Sequence, residues 1–192
     1  LHTSIRVRPA YQINRHNIWQ DCQTDIINGT AVQTPSDQHN LLILLLSIAG
    51  DLELGKLRLK SLIDLQAVST IIESRKEWPI FFERRATENL ESIAVNVLAL
   101  LLQVFPRSCE YPGLNRALNE RQSLQVPCTD QSCHELLTAN PYSVSSRQWF
   151  LSIYPGSRWY YLLWLAMGIP AKSGFFPAIK RAVANLRGTE GA

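Results

Sequence analysis

Thr34-Pro35-Ser36-Asp37-Gln38-His39-Asn40-Leu41-Leu42-Ile43-Leu44-Leu45-Leu46-Ser47-Ile48-Ala49-Gly50 is the stretch whose reading decides the fold class. It opens on helix-start chemistry. Thr34 can cap, Pro35 suits the first helical position, and Asp37 favours the positive end of the helix dipole. The spacing predicts a helix running to about Ala49, with Gly50 ending it. Its leucines (Leu41, Leu42, Leu44, Leu45 and Leu46) point in every direction at about 100° per residue. A helix that is apolar all round is buried on several sides. This one is therefore expected at the centre of a mainly α domain.

Further helices follow downstream. Leu57–Arg75 is apolar on more than one side through Leu59, Leu62, Ile63, Leu65, Val68, Ile71 and Ile72, and is expected to be largely buried. Within it, Asp64 stands one turn from Lys60. Two readings of Asp64 stay open: a structural ion pair or hydrogen bond, locally with Lys60, or a polar contact reaching toward a neighbouring active site. Trp78-Pro79 opens a third helix through about Arg85. A fourth, Leu90–Phe105, carries a narrow polar stripe of Ser92, Asn96, Ala99 and Gln103, and Pro106 ends it. Residues 107–141 read as a loop-rich connector with short helical stretches at Leu114–Glu120 and Gln131–Leu137. Residues 142–192 read as an aromatic, basic helical tail, with helices at Ser145–Ile153, Arg158–Met167 and Pro177–Leu186.

Upstream, residues 3–8 alternate, with Thr3, Ile5 and Val7 set against Ser4, Arg6 and Arg8. That is the period of a half-buried strand, closed by Pro9. A second short strand is expected around Ile26–Val32, with Asn28-Gly29 as its turn signal. Four segments result: 1–33 as strand and connector, 34–106 as buried helical core, 107–141 as connector and 142–192 as tail.

The chain has 192 residues, 46% hydrophobic and 18% charged, enough apolar surface for a real core and too little charge for a disordered chain. Its first residue is Leu1 and its one methionine is Met167, which suggests a piece of a longer protein. No signal-peptide pattern opens the chain, and no apolar run reaches the roughly 18–20 residues of a membrane span. A cytoplasmic location is expected.

The net charge of +3 is uneven: residues 139–192 carry Arg147, Arg158, Lys172, Lys180, Arg181 and Arg187 against Glu190, a net +5, and ten of the seventeen aromatics. Ordinary packing of the tail and peripheral contact with an anionic membrane surface both fit this pattern. Nucleic acid is not expected, because such a surface carries denser Lys and Arg.

Cys128 and Cys133, with His134 adjacent, lack the second close pair that zinc sites use, and Cys22 and Cys109 stand alone. Reduced thiols are the expectation. No phosphate-binding loop, dinucleotide fingerprint, zinc-protease helix or nucleophile elbow occurs. His2 stands at the start of the first strand, where a surface or packing role is the ordinary one. No catalytic residue and no metal ligand is assigned.

Several residues nonetheless stand in a familiar order. Leu1-His2 comes first, then Trp19, then Ile27-Asn28-Gly29-Thr30-Ala31-Val32. Thr34-Pro35-Ser36-Asp37 leads into Leu41–Leu46. Leu57-Arg58-Leu59-Lys60-Ser61-Leu62-Ile63-Asp64-Leu65 follows, and then Trp78 and Arg85-Ala86. Over roughly residues 1–106, the chain resembles the C-terminal half of the uncharacterised nucleotidyltransferase family, a polymerase-β-like branch met near polysaccharide-biosynthesis genes.

The resemblance implies strands left from a nucleotidyltransferase palm, which is α+β in the whole protein. It implies Mg²⁺ held by three carboxylates upstream of Leu1, with a nucleotide and an unknown acceptor hydroxyl as partners of that missing half. It also implies that Arg58, Lys60, Asp64 and His2 could contact substrate, with Asp64 matching the family's Leu-x-Asp-Leu element. One departure stands out: where the family often has a His near the end of the first buried helix, this chain has Ser47-Ile48. The alternative reading is a non-catalytic helical interaction module, with the basic aromatic tail reaching a membrane or partner.

Overall fold

The computed structural model describes residues 15–54, 57–106, 110–128, 135–137 and 144–155. The chain is mainly helical, with a single two-stranded antiparallel sheet among the described residues. The strand expected at residues 3–8, His2, Cys109, Cys133, His134 and the tail helices beyond Pro155 lie outside the described residues.

A short helix, α1 (Arg15–Gln20), leads into a hairpin of β1 (Cys22–Ile27) and β2 (Thr30–Pro35). The register pairs Cys22 with Pro35 and Ile27 with Thr30, so Asn28-Gly29 forms a two-residue turn. Both turn residues have positive φ, 51° and 77°, the combination that matches the right-handed twist of the flanking strands. Thr30–Val32, together with Ile26 and Ile27, had been expected as one strand. The glycine turn instead splits that stretch between two.

α2 (Asp37–Glu53) follows β2 after one residue. Thr34 and Pro35 remain in the ladder opposite Gln23 and Cys22, so the helix begins two residues later than the expected cap. Ser36 is the capping residue, with ψ of 159°. Its hydroxyl pairs with His39 Nδ1 at 2.9 Å rather than with a backbone N–H. Gly50 does not end the helix; α2 continues one turn further and buries Leu52. Leu41, Leu42, Leu45, Ile48, Ala49 and Leu52 are essentially inaccessible, and α2 packs against α3, α5 and α7. It is the central helix, as its composition requires.

α3 (Leu59–Ser74) buries one face only: Leu62, Leu65, Ser69 and Ile72. Leu59 and Ile63 are 51% and 49% exposed, and Ile71 is 38% exposed, which corrects the expectation of burial on several sides. α3 and α4 (Trp78–Thr87) end alike. Lys76 and Asn89 take left-handed φ of 57°, and Glu77 N donates to Ile72 O as Leu90 N donates to Arg85 O. With Lys76 N to Glu73 O and Asn89 N to Ala86 O, each is a Schellman ending. The start of α2 is tied to this region by Asp37–Arg75 at 2.6 Å and by Gln38 donating to Glu77 at 2.9 Å.

In α4, Trp78, Phe81, Phe82 and Arg85 occupy one face and are buried. The three rings meet at 5.5–6.2 Å, two of the pairs edge to face. α5 (Glu91–Val104) is buried almost all round. α6 (Pro112–Asn119) and a short 3₁₀ turn at Gln122–Leu124 lie in the stretch expected as connector. α7 (Val144–Ile153) closes the described part, burying Trp149, Phe150 and Ile153.

Glu73 anchors α6. Its carboxylate accepts Gly113 N at 2.7 Å, Leu114 N at 3.0 Å and the Trp78 indole N–H at 2.6 Å. A negative charge at a helix N-terminus meets unsatisfied N–H groups and the positive end of the dipole. Gly113 lets the carboxylate in: a Cβ there would stand 2.8 Å from Glu73 Oε1 and 3.1 Å from Trp78 Cδ1. Gly113→Ala is therefore expected to destabilise the domain by about 1–3 kcal/mol, as overpacking does, in spite of alanine's better helix propensity. Chemical denaturation checks this, and a stabilised variant would contradict it.

Candidate functional site

The residues named from the sequence come first. Arg58 precedes α3 and lies 3.7 Å from Asp51, with its side chain 72% exposed. Lys60 Nζ donates to Asp64 Oδ2 at 2.7 Å one helical turn away, with side chains 82% and 44% exposed. Asp64 is thus not enclosed in a buried helix; it faces water, paired with Lys60. Surface pairs of this kind contribute about 0–1 kcal/mol. The three side chains sit near the start of α3 but do not converge on a cavity. His2 lies outside the described residues. No group of three or more His, Cys, Asp or Glu that could hold a metal occurs among the described residues.

A second polar group lies where the hairpin meets the helical body. His39 is 2% exposed and bonded to Ser36. Arg85, 0% exposed, lies against Glu88, with Nε 2.8 Å from Oε2. That contact is an ion pair without hydrogen-bond alignment, and Nη1 and Nη2 of Arg85 are buried with no hydrogen-bond partner. The guanidinium also stands 5.0 Å from the centre of the Phe81 ring. Nearby, Arg84 reaches Asp21 at the foot of the hairpin at 3.1 Å.

Burial dominates the titration of this group. It pulls His39 below the ordinary imidazole value, aided by the charges of Arg85 and Arg84 and opposed by Asp21. It pushes Glu88 above the ordinary carboxylate value, against Arg85 and Arg84. It also lowers Arg85, against the attraction of Glu88. The signs for stability are opposite. A depressed His39 contributes stability above its unfolded value of 6.5, lost as pH falls through its folded value. A raised Glu88 contributes stability below its unfolded value of 4.5, lost as pH rises through its folded value. The stability advantage of the wild-type chain over a His39→Gln variant is therefore expected to shrink as pH falls from about 7.5 to about 5.5. Thermal melts across that range check it, and a gap independent of pH would contradict it.

The third feature is a cavity of about 470 Å³ between α5, the segment 122–128 and α7. Its floor is the polar stripe of α5. Asn96, 1% exposed, donates to Ser92 O at 2.8 Å and to Leu124 O at 2.9 Å, and accepts Val126 N at 2.7 Å. Gln103 donates to Cys128 O at 2.8 Å, and Gln125 donates to Leu118 O at 2.8 Å. One wall is Trp149. The side-chain amides thus act as a strand would, holding an extended segment that has no ladder of its own.

The sequence located half of this cavity. The stripe Ser92, Asn96, Ala99 and Gln103 was legible from its four-residue spacing. Gln122, Gln125, Cys128 and Trp149 were not, because nothing local marks residues that a loop brings back onto α5. Comparison of the chain with protein families, curated proteins and solved structures gives no match. Among the described residues no helix is long and apolar enough to cross a membrane.

Proposed function

We propose that this chain is the helical, C-terminal portion of a nucleotidyltransferase-like protein. Mg²⁺-dependent nucleotidyl transfer belongs to the parent, whose metal-binding carboxylates lie in the other half. These residues supply a helical body and a hairpin that docks on that half.

The observation that carries the reading is the hairpin. A two-stranded sheet is marginally stable by itself, and its outer edges present unpaired backbone groups. Here Ile26, Ile27 and Val32 are 78%, 53% and 38% exposed, and Trp19 beside them is 66% exposed. Apolar side chains on an open two-stranded sheet suit the edge and face of another sheet. The ordered resemblance supplies that neighbour, the palm of the catalytic half. Arg58, Lys60 and Asp64 then stand near the start of α3 as groups that could meet nucleotide or acceptor.

A second reading has its own observation. Leu59, Ile63 and Ile71 leave α3 with an exposed apolar face, which suits a non-catalytic interaction module. Peripheral membrane contact through the tail belongs to this reading.

The two part experimentally. The whole protein is assayed for Mg²⁺-dependent transfer from labelled nucleoside triphosphates, as wild type and as an Ile26→Asp/Ile27→Asp variant. The first reading expects transfer by the wild type, loss of most of it in the variant, and an unchanged melting curve for this chain. Absence of transfer with every triphosphate, or full activity in the variant, would overturn it. Co-sedimentation of the chain with anionic vesicles at low salt would then favour the second.

A further inference from the structure

We infer that the cavity over α5 is a binding site for an uncharged planar ring that carries hydrogen-bonding edges, as a nucleobase does. The inference stands apart from the proposed function, since it needs neither the metal nor the catalytic half.

Size and rigidity come first. About 470 Å³ falls within the range of small-molecule sites, roughly 300–1,000 Å³. The walls are pre-formed, because Asn96 uses both ends of its amide to fix Leu124 and Val126, while Gln103 and Gln125 fix Cys128 and Leu118. A ligand therefore enters a shaped space without ordering it.

The lining then selects the chemistry. It contains Asn96, Gln103, Gln122, Gln125, Cys128 and Trp149, with small and aliphatic side chains between them, and no Lys, Arg, His, Asp or Glu. A phosphate or carboxylate would enter without a counter-charge, which the cost of desolvating an ion forbids. Sugars are held by carboxylates and guanidiniums that grip adjacent hydroxyls, and the lining has neither. Primary amides instead present a donor and an acceptor side by side, the arrangement that reads the edge of a base. Trp149 adds an aromatic wall. Its indole N–H is buried without an acceptor, so a ring nitrogen or carbonyl that draws it over supplies a bond that the protein itself does not.

The test uses the full chain and free nucleosides. Adenosine and uridine are titrated by calorimetry, with glucose and adenosine monophosphate alongside. The variants are Gln122→Ala, an exposed side chain, and Trp149→Phe, which keeps a ring and removes the N–H. At least one nucleoside is expected to bind below about 1 mM, the monophosphate no tighter, and each variant to weaken binding about tenfold. Gln122→Ala is expected to melt with the wild type, so its loss of affinity reads the site and not the fold. The inference is overturned if neither nucleoside binds at roughly 10 mM, if glucose binds as well as they do, if the monophosphate binds more than about tenfold tighter, or if both variants leave affinity unchanged.

Discussion

Arg85→Ala is expected to lose about 3–5 kcal/mol of folding stability, enough to unfold much of a marginally stable domain. The guanidinium is wholly enclosed, lies 2.8 Å from Glu88 Oε2 and packs on Phe81. Truncation leaves a cavity beside the aromatic cluster of α4 and strips Glu88 of its cation. Arg85→Met separates these causes. It restores most of the volume and removes two buried amino groups that have no hydrogen-bond partner. Glu88, already held above the ordinary carboxylate range by burial, can then fold protonated. The methionine variant is expected to retain all but about 1–2 kcal/mol near pH 5 and to weaken as pH rises. Urea melts of both variants at two pH values check this. Equal losses in the two variants would contradict it.

Glu73→Ala is expected to lose about 3 kcal/mol or more, because one carboxylate serves three donors and charged hydrogen bonds contribute about 1.5–3 kcal/mol each, short of full additivity. Gly113 N, Leu114 N and the Trp78 indole would all lose their acceptor. Glu73→Gln is expected to fare little better, since its NH₂ group would face N–H donors. Trp78→Phe removes one of the three bonds and keeps most of the ring, so it should cost less than Glu73→Ala. Hydrogen exchange at α6 gives the local readout. If α6 kept its protection in Glu73→Ala, the carboxylate would not be what anchors it.

The parts of this fold that sequence pattern reached are those that local chemistry fixes. Asn28-Gly29 marked a turn because a two-residue hairpin needs positive φ at both positions. Leu41–Ile48 marked the central helix because nothing but burial suits such a run. The errors lie where longer-range packing decides. Pro35 looked like a first helical residue, yet it pairs with Cys22 at the end of the hairpin, and Ser36 inherits the cap. Gly50 looked like a stop, but the buried Leu52 carries α2 another turn. α3 has apolar residues on several faces, and its neighbours cover only one.

The candidate site divides in the same way. Lys60 and Asp64 were visible as a pair because they are one turn apart, and they are a pair. Glu73 was not visible at all: its backbone partners lie 40 and 41 residues on, beyond any local signal. Arg85 could have been found, since Trp78, Phe81, Phe82 and Arg85 follow the spacing of one helix face, which sets a guanidinium among aromatic rings. The cavity was half legible, through the stripe of α5 but not through the loop that returns to it.

The most direct test of the proposed function is to read the coding sequence immediately upstream of Leu1. A nucleotidyltransferase-like parent predicts a Gly-Ser turn, an Asp-x-Asp pair and an acidic residue directly before Leu1, in frame with this chain. A stop codon or an unrelated domain at that position would contradict it.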